Sequence, residues 1–402
     1  MFNILTIDLE DYFQVHAFSR VIRFEDWGKF ECRIERNTDR LLSILNDSPI
    51  RNCSTAAQLH CSTSTHDHSS TSALKNNSEP SPHYLNLSPN ASRLAKDYLA
   101  SSPCAMRSAP CGSPKGTFFI LGWIAERYPG LVRRIQKEGH EIACHGYAHQ
   151  LVYTQSRDEF RQDVKRAKSI LEDITGSEVI GYRAPSYSIT NKSQWAFEVL
   201  VEEGFKYDSS IFPIRHDFYG MPDAPRFPFA ISLDGSQNVE FLVLNYELNT
   251  TQNSKLITQN SQLITQNSKI EINNSLTHSL INTGSDNSTF NVQNSTFISE
   301  FPISTVKVFG QNFPISGGGY FRLLPYSIIR KAFRSINEKE QKPFIFYMHP
   351  WEIDPEQPRV SGLSFRSKFR HYVNLNKTES RFRKLLEDFQ FSTIRQVLIQ
   401  NS

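Results

Sequence analysis

The chain has 402 residues, with 44 Lys and Arg against 41 Asp and Glu and a formal net charge of +3. That near balance, without a long basic run, excludes a chain built to hold nucleic acid by its phosphates. No apolar stretch is long enough to cross a bilayer as a helix, so no integral membrane segment is predicted.

The first element is "FNILTIDL", an apolar run that reads as a buried strand, and acids interrupt its end in "TIDLED". No basic and then apolar leader precedes it, so no signal peptide is expected. Side chains two apart on a strand share a face. Asp8 and Glu10 therefore face together, and Asp11 lies on the opposite face or in the following loop. Two carboxylates on one buried face repel each other, and a cation between them relieves the repulsion. The helix "NTDRLLSILND" comes next.

A tract over residues 51–114 then departs from globular composition. It is rich in Ser, Thr, Asn and Pro, and buries too little apolar surface to offset its ordering entropy. A second such tract covers 245–298. "TQNSKLI" and its variants start at Thr251, Thr258 and Thr265, and "NSTF" recurs at Asn287 and Asn294, both with a period of seven. Asn, Ser and Thr are poor helix formers and no charged flanks accompany them, so a tandem expansion is favoured over a coiled coil. Of six cysteines none forms a CxxC pair, which points to free thiols in a reducing cytoplasm.

The remaining residues, 1–50, 115–244 and 299–402, suffice for a single large domain. They alternate strand and helix. "GTFFILGW" reads as a strand and "AERYPGLVRRIQKEG" as one helix after it. "HEIACHG" is a third strand. The helix in "SRDEFRQDVKRAKSILEDITG" carries a Ser156/Glu159 capping box and a stop at Gly176. "VIGYRAP" is a strand, "NKSQWAFEVLVEEG" a helix, "FKYDSS" a strand, and "EFPIST" and "PFIFYMHP" are late strands. This alternation predicts an α/β fold with a parallel sheet or barrel.

In such folds chemistry gathers at the C-terminal ends of the strands. Asp8, Glu10, His145, Arg183, Asp208 and His349 all stand there. His145 and His149, four apart, share one face of a helical turn and can grip one ion. Two imidazoles and a carboxylate suit zinc and leave a position open. Arg183 can pin a carboxylate. "HDFYGMPDAPRFPF" and "GGGYFR" hold aromatics and glycines suited either to a sugar groove or to plain loop packing.

Taken together, "TIDLED", "HGYAH", "RAPSYS" and "MHPWE" resemble the successive motifs of the polysaccharide deacetylase family. More narrowly, "LTIDLEDYFQV", "GHEIACHGYAHQLVY" and "FYMHPWEIDPEQPR" resemble its branch associated with exopolysaccharide and exosortase systems. The resemblance covers the core and skips both tracts. It implies a distorted (β/α)7 barrel, interrupted by two low-complexity inserts, with a divalent metal, most often Zn2+, at the strand ends. It also implies hydrolysis of N-acetyl groups on an amino-sugar polymer or a lipid-linked glycan. Carried over, Asp8 resembles the general base and His349 the general acid. Arg183 resembles the residue that orients the base, and Asp208 a member of the same shell. His145 and His149 resemble metal ligands. The usual adjacent acid pair is here Asp8-Leu9-Glu10-Asp11, and geometry favours Glu10 as third ligand with Asp11 as alternative. A polymer substrate and a cytoplasmic chain are reconciled at the inner face of the membrane. Two other readings are a metal-dependent amidase acting on a small cyclic amide and a non-catalytic carbohydrate-binding barrel.

Overall fold

The structure is a computed structural model that describes residues 1–48, 112–216, 218–233, 239–242 and 296–400. The two low-complexity tracts, with their repeats, lie outside the described residues except at their edges. The described residues within Met1–Ser48 and Pro114–Ser402 belong to one compact unit.

In chain order the elements are β1 (Phe2–Leu9), α1 (Ile34–Asn46), β2 (Thr117–Ile120), α2 (Gly122–Arg127), α3 (Pro129–Lys137) and β3 (Glu141–Cys144). There follow α4 (Arg157–Thr175), β4 (Gly181–Tyr182), α5 (Trp195–Glu202), β5 (Tyr207–Asp208), β6 (Phe229–Leu233) and β7 (Val239–Leu242). After the second tract come β8 (Thr296–Glu300), β9 (Thr305–Val308), β10 (Gln311–Pro314), α6 (Gly318–Leu323) and α7 (Tyr326–Glu338). The chain continues with β11 (Ile345–Met348), α8 (Phe365–Tyr372), α9 (Leu375–Asp388), β12 (Gln390–Ser392) and α10 (Ile394–Gln400).

Seven strands run parallel in the spatial order β11-β1-β2-β3-β4-β5-β8. β12 pairs parallel with the start of β1, and the antiparallel pair β6–β7 extends the sheet beyond β8. β1 is buried from Asn3 to Leu9, as a central parallel strand covered on both faces must be. The expected α/β fold with a parallel sheet is the one observed. No ladder joins β8 to β11 among the described residues. A hydroxyl seam draws them together instead. Ile345 N–H donates to Ser304 Oγ at 2.8 Å, Ser316 Oγ–H donates to Ile345 O, and Gly317 makes a single parallel bridge to Tyr347. Gly317 has φ +98°, and a Cβ there would lie 1.8 Å from Tyr347 O, so only glycine permits this approach.

The local signals explain most elements. α4 begins with the Ser156/Glu159 capping box and ends at Gly176 in the left-handed region. Phe160, Val164, Ala167 and Leu171 form its buried stripe. Two expectations are corrected. The helix read through "AERYPGLVRRIQKEG" is two, because Pro129 cannot donate a backbone N–H and starts a new helix as its first residue. "EFPIST" is not one strand: β8 ends at Glu300, and β9 starts at Thr305. Cys32 and Cys144, the cysteines among the described residues, are both free thiols. No described helix is long and apolar enough to cross a membrane.

The β4–β5 contact is tight. A Cβ on Gly181 would lie 2.0 Å from Tyr207 Cζ, and the buried Tyr207 hydroxyl donates to Glu141 Oε1 at 2.8 Å. Gly181→Ala should therefore destabilise the fold by about 3 kcal/mol or more in urea unfolding, whereas Gly28→Ala, with open space around it, should change stability by less than about 0.5 kcal/mol.

Candidate active site

The strand ends carry the site, and Arg183 is its anchor. It follows β4 and is fully buried. Its Nη1 donates to Asp8 Oδ1 at 2.7 Å and to Thr6 Oγ1 at 2.9 Å, Nε donates to Ser209 O at 3.0 Å, and Nη2 to Ser209 Oγ at 2.8 Å. The guanidinium also lies over the Phe119 ring at 4.2 Å. A buried cation needs this many partners to offset its lost hydration. Asp8 is thereby held by one oxygen, and Oδ2 faces His349 Nε2 at 3.9 Å.

Glu10 follows the end of β1, and its carboxylate turns to the same side as that of Asp8. Its Oε2 lies 2.9 Å from His149 Nε2 and its Oε1 3.3 Å from His349 Nε2. Burial alone raises the Glu10 pKa; the charges of His149 and His349 outweigh that and hold it at about 2. Asp11 turns away. Its Oδ1 accepts from Tyr12 N at 2.8 Å and its Oδ2 from Arg33 N at 2.5 Å, and burial raises it to about 6. Asp11 thus fastens the loop before α1.

The histidine pair sits on no helical turn. The backbone after β3 instead runs through Gly146 at φ +72° and His149 at φ +53°, an irregular turn that reverses the second imidazole toward the first. The rings lie 5.5 Å apart. Asp163 of α4 fastens this turn by accepting from Tyr147 N at 3.0 Å. His145 Nδ1 is 2.7 Å from the carbonyl of Arg183, which can only accept, so Nδ1 carries the proton and Nε2 presents its lone pair to the site. Burial is the chief cause that pushes His145 down to about 4, which keeps it neutral.

Glu10, His145 and His149 are all buried and bring ligand atoms within 4.8 Å of one another. Glu10 Oε2 accepts no hydrogen bond with acceptable geometry. An orphaned buried carboxylate oxygen beside two imidazoles, one with its lone pair fixed inward, is a donor set that fits a divalent cation of the zinc type.

His349 ends β11. Its Nδ1 donates to Glu352 Oε1 at 2.7 Å, and Glu352 Oε2 accepts from Arg322 Nε at 2.7 Å. Arg322 Nη1 goes on to the carbonyls of His371 and Val373. Burial lowers the His349 pKa, but Glu10, then Glu352 and Asp8, outweigh it and raise it to about 9. The imidazole stacks on Trp351 at 5.2 Å.

Asp208 stands apart from this group. It accepts from Ser210 N at 2.9 Å and Ser210 Oγ at 2.7 Å, and pairs in register with Glu300 of β8. Both carboxyls are fully buried, and burial raises both, Glu300 the more. Ser209 and Ser210 hold Arg183 and Ala184, and Asp208 thus buttresses the anchor without touching the other predicted site residues. Reading the sequence missed Asp163, Glu300, Arg322 and Glu352. Glu300 shows the same acid-at-strand-end signal as Asp8, and Glu352 sits inside "MHPWE". Asp163 and Arg322 carry no local signal beyond helix position.

Residues 113–202 match the family described as polysaccharide deacetylase, and residues 275–399 match one described as a domain of unknown function (DUF3473). A peptidoglycan-N-acetylglucosamine deacetylase of Bacillus cereus is 38% identical over 85 residues, 21% of this chain and 31% of the relative. A peptidoglycan deacetylase of Helicobacter pylori is 29% identical over 102 residues, 25% and 33% of the two chains. The chain thus spans only about a third of the length of these curated relatives. Among solved structures, polysaccharide deacetylase Bc1974 from Bacillus cereus is 28% identical, with 25% of this chain and 49% of that chain covered and a TM-score of 0.23. A putative polysaccharide deacetylase from Mycobacterium smegmatis is 16% identical, with 72% of both chains covered and a TM-score of 0.37.

Elemental analysis should find zinc near one per chain after zinc loading, lost in a His145→Ala/His149→Ala variant and weakened at least about tenfold in Glu10→Gln, but retained in Asp11→Asn. Arg322→Met, which strands Glu352 as a buried charge, should cost about 3–5 kcal/mol in thermal or urea unfolding.

Proposed function

We propose, from the premise that this chain is a member of the polysaccharide deacetylase family, that it is a metal-dependent hydrolase removing N-acetyl groups from an amino-sugar polysaccharide or its lipid-linked precursor. The observation that carries this reading is the convergence of two differently restrained groups, Asp8 and His349, on the triad Glu10, His145 and His149. The curated relatives, named as deacetylases of peptidoglycan and of its N-acetylglucosamine, support the substrate class.

Glu10, His145 and His149 would hold the cation. When bound, a zinc ion supplies Lewis acidity toward the amide carbonyl and makes water a better acid. Arg183 occupies Asp8 Oδ1, so Oδ2 is the atom left to take the proton of an attacking water. Glu352 fixes the His349 proton on Nδ1, so Nε2 is the atom that faces the reacting group and delivers a proton to the departing amine. Arg322 locks Glu352 in turn. Asp208 and Glu300 act as positioning residues for the segment that carries Arg183.

A cluster of tyrosines in edge-to-face contact stands beside His349. Tyr347 lies 5.8 Å from His349, Tyr187 5.3 Å from Tyr347, and Tyr219 6.2 Å from Tyr187. Tyr219, the partly exposed member, is the ring of this cluster that a pyranose face could meet. In this reading the protein acts in exopolysaccharide biosynthesis on the cytoplasmic side, where the polymer or its precursor is made.

The test is acetate release from an N-acetylglucosamine oligomer by zinc-loaded protein. Asp8→Asn and His349→Asn should each lower kcat by about a hundred- to ten-thousand-fold while metal content is unchanged. Chelation should abolish acetate release, and added zinc should restore it. Loaded, folded protein that releases no acetate from any N-acetylated glycan would overturn the reading.

A further inference from the structure

We infer that the protein docks on an anionic lipid surface through helix α8, and that the docking face borders the mouth of the active site. The inner side of α8 is fixed to the site. The His371 ring stacks on Trp351 at 4.2 Å and packs against Phe18 at 4.5 Å, and Trp351 is the ring that stacks on His349.

The outer side has a different character. Phe365 and Phe369, one helical turn apart, are 83% and 49% exposed. Arg366, Lys368 and Arg370 are exposed between and beside them, and α8 contains no acid. None of the three cations has an ion pair among the described residues. Phe218, 57% exposed, stands on the loop whose Tyr219 lies within reach of the Arg370 charge. Arg20, Val21, Arg23 and Phe24 are exposed on the loop after β1, and Gly362, just before α8, backs onto Val21.

Single exposed apolar side chains are ordinary. Two phenylalanines on one stripe of a purely cationic helix, with further cations and aromatics around them, match a helix lying in a bilayer interface. Anionic headgroups attract the cations, and the rings enter the boundary below them. Charge also selects between occupants. The reaction proposed above leaves a free amine on the glycan, and a cationic rim repels that product while attracting an anionic bilayer. The choice of lipid over glycan rests on that reading; the cationic aromatic face itself does not.

The test is sedimentation of the full chain with phosphatidylcholine vesicles and with vesicles of equal parts phosphatidylcholine and phosphatidylglycerol. Binding to the second alone is expected, weakening as salt rises. Arg366→Ser/Lys368→Ser should weaken it by about fivefold for each cation removed. Phe365→Ser/Phe369→Ser should also weaken it, and both variants should release acetate from a soluble oligomer at the wild-type rate. Absence of binding, equal binding to both vesicles, or variants that bind as wild type would overturn the inference. So would a phenylalanine variant that keeps vesicle binding but loses affinity for the N-acetylglucosamine oligomer, which would make the rim a sugar platform. Vesicle binding without acetate release would leave the docking face standing and remove only the hydrolase reading.

Discussion

Everything at the strand ends depends on the buried ion pair between Arg183 and Asp8. The pair ties β1 to the segment after β4, and through Ser209 to the segment after β5. Stripping water from a guanidinium costs several kcal/mol, and four hydrogen bonds and an aromatic face are the compensation. Because every donor used is directional, the same contacts that offset the burial fix which Asp8 oxygen stays available. Position and chemistry follow from one constraint.

The rest of the centre is a charge balance solved in two ways. Where the carboxylates must stay ionised, as at Glu10 and Glu352, cationic or protonatable partners stand against them. At Asp208 and Glu300 burial outweighs the nearby charge of Arg183 and pushes both carboxyls toward the neutral form. The first solution gives groups poised to act. The second gives a support that can be packed among apolar side chains without a counter-ion.

How much of this was legible in the sequence depends on how local the determinant is. The strand identity of "FNILTIDL" and the capped helix at Ser156 are written in adjacent residues, and the structure places both as expected. The same-side placement of Asp8 and Glu10 also follows from a period of two. The HxxxH spacing pointed to two rings that do lie together, but by another geometry: a positive-φ turn at Gly146 and His149 stands where a helix was expected. Asp11 could not be resolved by spacing, because what removes it is the backbone N–H of Arg33, 22 residues away. Arg322 and Glu352 meet across 30 residues and Asp208 and Glu300 across the second low-complexity tract, so no local pattern announces either pair.

The neighbours of β1 set an order of events during synthesis. Its partners are β2, β11 and β12, with Ile4 beside Ile345 and Phe2 beside Gln390. The strand that leads into the two central acids is made well before β11 and β12, so it lacks one neighbour until residue 348 and another until residue 392 has left the ribosome. Such distant pairing makes folding slow and leaves an apolar strand uncovered in the meantime. The nascent chain therefore carries its acids long before it acquires His349, and the centre is completed only when the last strands insert.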